Sequence, residues 1–235
     1  MIDVMPFERL GRFRNDWLNA RYHFSFADYY DPRRMGFGPL RVWNDDEIRA
    51  GTGFDPHPHR DMEIITYVRQ GAISHRDNLG NEGRTEAGDV QVMSAGTGIV
   101  HAEYNLEDVE TRLFQIWVMP NRTGLPPRWA AARFPKADRA GQLVPLASGE
   151  DGIEALPIHQ DATLYGATLL PGQSLTHPLR PGRIVYLVLA EGQLVANGEE
   201  LKDRDGALLA DEAEVRLEAA AASELLLFDL PANPG

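Results

Sequence analysis

Short apolar runs separated by turn residues extend along the whole chain. LRVWN (40–44), EIITYVRQGAISH (63–75), GDVQVMS (88–94), TRLFQIWVMP (111–120), ATLYGATLL (162–170), RIVYLVLAEGQLVANGEEL (183–201) and ELLLFDLP (224–231) are rich in β-branched and aromatic residues. Runs of this kind, bounded by Gly, Asn, Asp and Pro, predict buried strands. Turn signals fall at Asn78-Leu79-Gly80-Asn81, Ala87-Gly88-Asp89 and Asn197-Gly198. The last, between LVA and EEL, predicts a two-residue hairpin. The alanines at 219–222 favour a helix in isolation, but the flanking VRLE and ELLLFDL predict a loop or a strand edge. Many short strands with regular turns predict an all-β sandwich or barrel, with the jelly roll among the candidates.

The pattern also repeats. HPHRDMEIITYV (57–68) aligns with HPLRPGRIVYLV (177–188), sharing His, Pro, Arg, Ile and the closing Val. Both segments follow a glycine-containing turn and lead to another glycine. This predicts a duplicated β module, dividing the chain into residues 1–144 and 145–235. At the aligned positions Leu179 stands for His59 and Arg183 for Glu63, so the second copy keeps the strand entrance without its polar chemistry.

Composition narrows the function. Hydrophobic residues at 43% and charged residues at 25% are those of a soluble globular chain. No apolar run approaches membrane-spanning length, and the opening MIDVMPFERLGRFRNDW lacks a signal peptide's apolar stretch, so a cytoplasmic location is expected. The net charge of −12 argues against direct nucleic-acid binding, which depends on basic side chains neutralising phosphates. The chain has no cysteine, which excludes disulfides, thiolate metal sites and cysteine nucleophiles. Any metal must be held by His, Asp or Glu.

Two segments supply such groups. In DPHPHRDMEIITYV (55–68), His57 and His59 stand at i and i+2, which on an extended strand places both on one face, roughly 6–7 Å apart. Pro56 and Pro58 remove backbone donors, which suits an edge strand or a barrel mouth. In AGDVQVMSAGTGIVHAEYN (87–105), His101 and Glu103 form a second i, i+2 pair after a glycine-rich turn. An antiparallel pairing of the two strands would assemble three neutral imidazoles and one carboxylate. At six-coordination a divalent ion would keep two open positions there for water, substrate or dioxygen.

Gly51, His57, His59 and Glu63, followed by Gly88, Gly96, His101 and Asn105, resemble the two cupin motifs. The spacing departs from the usual pattern by one residue before Gly71 and two between Gly96 and His101. HPHRDMEIITYV and MSAGTGIVHAEYN resemble the pirin family, as do HFSFADYYDPRRMGFGPLRVWNDD upstream and FQIWVMP and LLLFDLP downstream. The resemblance covers essentially the whole chain and is nearest to bacterial pirin-like proteins described as quercetin 2,3-dioxygenases. It implies a bicupin, two jelly-roll β-barrels packed together, with metal only in the N-terminal one. The ligands it implies are His57, His59, His101 and Glu103, holding one divalent ion. Fe(II) is favoured, and Zn, Cu, Mn, Ni and Co are also compatible.

The implied activity is ring opening of a flavonol such as quercetin, or of another enol or catechol, by dioxygen with release of carbon monoxide. Glu103 is the natural base for the substrate hydroxyl. A second reading from the same family is a non-catalytic metal-binding redox sensor or transcription coregulator acting through protein partners, which the sequence does not name. A third, frequent among cupins, is a metal-dependent isomerase or hydrolase.

Other residues are read more plainly. Glu63 has the parity of His57 and His59, which on an unbroken strand would make it a group orienting an imidazole or contacting substrate. His75, beside Asp77, is read as a surface or turn histidine, and His177 as a relic of the duplication. His23 lies in the aromatic-rich YHFSFADYY, a segment of core or pocket wall. His159 carries no signal. Gly36 and Gly38 lack the strand-to-helix context and lysine of a phosphate loop.

Overall fold

The computed structural model describes residues 1–233. Four sheets form two barrels, and helix is confined, among the described residues, to the 3-10 turns Phe7–Arg9 and Lys136–Arg139. In the N-terminal barrel a seven-stranded sheet runs in the order Arg128–Ala132, Val90–Ser94, Glu63–Gln70, Thr111–Val118, Leu40–Ile48, Leu18–Tyr22 and Gly11–Arg14. It faces a four-stranded sheet ordered Thr52–His59, Ile99–Asn105, Ala72–Asp77 and Glu82–Glu86. The C-terminal barrel repeats the arrangement. Its small sheet is Ser174–Pro178, Glu214–Ala219, Gln193–Ala196 and Glu199–Lys202, and its large sheet is built around Gly206–Leu209, Arg183–Glu191, Ser223–Pro231 and Thr163–Leu169.

The long apolar run of each copy divides at a glycine. Gly71 (φ 74) ends Glu63–Gln70 and lets the chain cross to the small sheet at Ala72–Asp77. Gly192 (φ 104) does the same between Arg183–Glu191 and Gln193–Ala196. Asn197-Gly198 forms the expected hairpin turn, and residues 220–222 are a turn between two strands.

The large sheets are buried on both faces, which is why their strands read as continuous apolar runs rather than alternating ones. On Thr111–Val118 and Glu63–Gln70, the residues Phe114, Ile116, Ile65 and Tyr67 pack with Tyr186 and Phe228 of the other barrel. The opposite parity, including Leu113, Val68 and Ile64, lines the N-terminal barrel. Charge also ties the barrels together. Buried Asp45 accepts from Arg69 of its own barrel and from Arg204 of the other, the latter at 2.5 Å.

One strand crosses the expected domain boundary. Ile2–Met5 pairs with Gly206–Leu209 at the edge of the C-terminal large sheet, the place that Arg128–Ala132 takes on Val90–Ser94 in the N-terminal one. Residues 1–144 are therefore not one contiguous barrel. Pairing the first strand with the distant sheet protects an edge that would otherwise be open.

The two interiors differ in chemistry. The C-terminal barrel is filled by Val185, Leu187, Leu189, Leu217, Leu225, Leu227 and similar residues. The N-terminal barrel buries Asp46, Thr66, His75, Gln91, His101, Glu103 and Gln115. A polar interior is tolerated only where its groups satisfy one another or serve a site.

Candidate metal centre

The strand Thr52–His59 exposes Pro56 and Pro58 and half-buries His57 and His59, as strand alternation dictates. Its antiparallel neighbour Ile99–Asn105 buries His101 and Glu103 and turns Val100 outward. His101 lies opposite His57 and Ile99 opposite His59. Beyond His101 the register shifts, so Glu103 pairs with Phe54, further into the barrel. The ring centroids of His57, His59 and His101 are 4.8, 4.5 and 5.1 Å apart, and one ring nitrogen from each lies within 4.8 Å of the others.

Two of these rings, His59 and His101, are held neutral by their surroundings. Burial, with His57 nearby, pushes the His59 imidazole down to about 4. Deeper burial, with His57 and His59 adjacent, pushes His101 down to about 2. His57 Nδ1 lies 2.7 Å from the carbonyl oxygen of Asp55. A carbonyl only accepts, so Nδ1 is the donor, and in the neutral tautomer this leaves Nε2 as the ligand atom. His101 Nε2 is buried with no hydrogen-bond partner, the state of an atom prepared for a ligand bond. These residues fit a divalent ion.

Glu103 belongs to a second group of potential ligand atoms, with His101 and His75, rather than with His57 and His59. Its carboxylate accepts from Gln91 Nε2 at 2.6 Å, Gln115 Nε2 at 2.8 Å and Thr66 Oγ1 at 3.4 Å. Burial pushes its pKa up to about 7 against the pull of these donors. Asp46, also fully buried, is pushed well above the carboxylate range by burial and by Asp45 and Glu103. Trp117 packs edge-on against His59 at 4.9 Å and donates from Nε1 to Gln115 Oε1 at 3.1 Å. Phe26 lies against Trp117 at 5.4 Å and Phe54 against His57 at 6.4 Å, so aromatic rings flank the cluster.

Two sequence expectations are corrected. The chain breaks between His59 and Glu63, with Asp61 at φ 46, and Glu63 enters the other sheet. There it takes the parity of Ile65 and Tyr67, toward the second barrel, and accepts from Ser94 Oγ at 2.7 Å and from the His159 backbone. Parity along one unbroken strand therefore does not carry it to the imidazoles. His75 is no surface histidine. It is 3% exposed, 3.4 Å from His101 between Nδ1 atoms, 3.0 Å from Asp77, and stacked on Trp129. His23 takes the core place open to it in the sequence, fully buried between the barrels and 2.8 Å from the Tyr186 hydroxyl.

His75, Gln91 and Gln115 were missed as parts of the site. A signal existed. In AISHRD, His75 and Asp77 share the parity of Ile73, and in LFQIW Gln115 shares that of Leu113 and Trp117. Once one residue is assigned inward, the others follow it. In the second barrel, His177 and Arg183 close on Asp229 at 2.7 and 2.6 Å, so an ion-paired cluster occupies the aligned positions. Among the described residues, both groups able to share an ion lie in the N-terminal barrel.

Two cupin-type barrels, one with a polar interior and a histidine cluster at its rim, define a bicupin. Comparison with known proteins agrees. Residues 5–118 match the Pirin family and residues 145–230 the Quercetinase C-terminal cupin domain family. A pirin-like protein of Caulobacter vibrioides is 58% identical over 230 residues, covering 97% of this chain and 99% of that protein. A quercetin 2,3-dioxygenase of Escherichia coli is 44% identical over 232 residues, 98% of this chain and 99% of the enzyme. The crystal structure of the bacterial pirin YhhW of Escherichia coli in complex with nickel(II) has a TM-score of 0.93 and 41% identity, covering 98% and 99% of the two chains. The chain belongs to the pirin family.

Proposed function

We propose that the chain is a metal-dependent dioxygenase that opens the ring of flavonols such as quercetin and releases carbon monoxide. The observation that carries this reading is the convergence of His57, His59 and His101, with the buried His101 Nε2 free of any hydrogen bond. These three would hold one divalent ion, with Glu103 beside His101 as the fourth ligand. Nitrogen and carboxylate donors with open positions suit Fe(II), our first candidate, and also Ni, Mn, Cu, Zn or Co. When bound, the ion supplies Lewis-acid stabilisation of negative charge on a substrate oxygen.

The protein groups divide the remaining work. Glu103, whose carboxyl is pushed up by burial in the metal-free chain, is the group beside His101 that would take the proton of a flavonol hydroxyl. Gln91 and Gln115 hold its two oxygens in place, and Trp117 in turn holds Gln115. Trp117, Phe26 and Phe54 offer apolar ring surface to a flat aromatic substrate. Each turnover consumes one dioxygen and releases one carbon monoxide, and so needs no external reductant. Oxygen uptake with quercetin by metal-loaded protein tests the proposal.

A further inference from the structure

The tautomer of His101 is set from outside the ligand cluster, by a hydrogen-bond chain whose direction is fixed at its far end. Asp77 Oδ1 accepts the backbone N–H groups of Leu79 at 2.9 Å and Asn81 at 3.1 Å. Its Oδ2 accepts Asn81 Nδ2 at 2.9 Å and faces His75 Nε2 at 3.0 Å. A carboxylate surrounded by N–H donors only accepts, so His75 carries its proton on Nε2. Full burial disfavours the charged form of that ring, which leaves His75 Nδ1 as a bare lone pair. His75 Nδ1 faces His101 Nδ1 at 3.4 Å, and of two facing nitrogens one must donate. The donor is therefore His101 Nδ1–H, and the buried, unpartnered Nε2 of His101 is the unprotonated atom.

A second feature holds the relay in plane. Trp129 stacks on His75 with ring centroids 4.8 Å apart and planes within 8°. The indole fits because residue 83 is glycine, where a Cβ would collide with the Trp129 ring. Turning the His75 ring over would break both of its hydrogen bonds at once.

We propose that Asp77 and His75 are positioning residues that set the tautomer of His101, leaving its Nε2 lone pair free for a divalent cation before any ion arrives. The inference rests on the reading of His101 as a ligand. Outer hydrogen bonds of this type fix ring orientation and raise the basicity of a ligating imidazole.

Asp77→Asn reverses the chain by a specific route. The two backbone N–H groups at Oδ1 cannot reverse, whereas the Asn81 amide at Oδ2 can turn over to present its oxygen, so the new amide oxygen stays at Oδ1 and the new NH2 group points at Asn81 and His75 Nε2. His75 must then accept at Nε2 and donate from Nδ1, and His101 must accept at Nδ1 and carry its proton on Nε2. The ligand atom is blocked.

The experiment is a long-range proton–nitrogen correlation spectrum of the histidine rings in the metal-free full chain at pH 7.5, paired with calorimetric titration of Ni(II). The wild-type chain should show His101 as the Nδ1–H form and His75 as the Nε2–H form. Asp77→Asn should reverse both and weaken Ni(II) binding about 10- to 100-fold. His101 protonated at Nε2 in the wild type would overturn the inference, and that spectrum needs no variant to fold. Reversed tautomers with unchanged Ni(II) affinity would overturn it as well. A wild-type chain with the expected tautomers that binds no Ni(II) would instead overturn the metal reading beneath it.

Discussion

His57 and His101 face each other across an antiparallel strand pair, residue opposite residue, with ring centroids 4.5 Å apart. Thr52–His59 is the edge strand of its sheet and has Ile99–Asn105 as its one neighbour. A shared ion would cross-link the two strands where proline has removed ladder donors. Metal at about 100 times its dissociation constant would stabilise the fold by about 2.7 kcal/mol. For a chain of this size, chelation should lower Tm by roughly 5–10 °C. Hydrogen exchange should rise first in residues 52–59, and uniform exchange across both barrels would contradict the cross-link.

His59→Leu copies the second barrel, where Leu179 takes the aligned position. His59 is half-buried at the rim, so the substitution should leave the melting of metal-free protein within about 0.5 kcal/mol of wild type. Metal content and oxygen uptake should both be lost. A folded, metal-loaded and active variant would remove His59 from the ligand set.

The two glutamates separate cleanly. Glu103→Gln removes the negative charge and turns an NH2 group toward one of Gln91 and Gln115, each of which is itself a donor there. Metal affinity should fall, and metal-saturated protein should lose about 10²- to 10⁴-fold in kcat. Glu63→Gln acts on the far face of its sheet, beside Ser94, and should retain metal and rate. The opposite outcome, with Glu63 essential and Glu103 dispensable, would reassign the carboxylate ligand.

His23 gives the chain an acid-sensitive seam between the barrels. Full burial, with Arg34, Arg204 and Arg69 nearby, pushes its pKa from 6.5 down to about 3. The unfolded chain therefore binds the proton more readily, and the stability contributed by neutral His23 is complete above pH 6.5 and lost as pH falls toward 3. Between pH 7.5 and pH 5 the wild type should lose about 2 kcal/mol more than His23→Gln in urea unfolding. Parallel profiles would show that His23 charges freely in the folded state.

Much of this was legible in the sequence. Strand runs, the Asn197-Gly198 hairpin and the shared facing of His57 with His59 and of His101 with Glu103 depend on local periodicity, which a sequence carries directly. Periodicity fails where the chain turns out of its strand. Asp61 adopts a left-handed conformation that a short polar residue tolerates, and this resets the parity of Glu63 relative to His59. It fails again where a residue's meaning comes from another strand. His75 acquires its role from His101 and Trp129, and Ile2–Met5 acquires its place from Gly206–Leu209. Neither partner leaves a mark on the local pattern.

The most direct test of the central claim is the gas balance of turnover. Full-length protein loaded in turn with Fe(II), Ni(II), Mn(II) and Cu(II) would be given quercetin and a flavonol panel in air, with dioxygen consumed and carbon monoxide evolved measured together. A ring-cleaving dioxygenase consumes one dioxygen for each carbon monoxide released, with at least one metal, and Glu103→Gln suppresses both gases alike. No oxygen uptake with any metal, or uptake without carbon monoxide, would contradict the account.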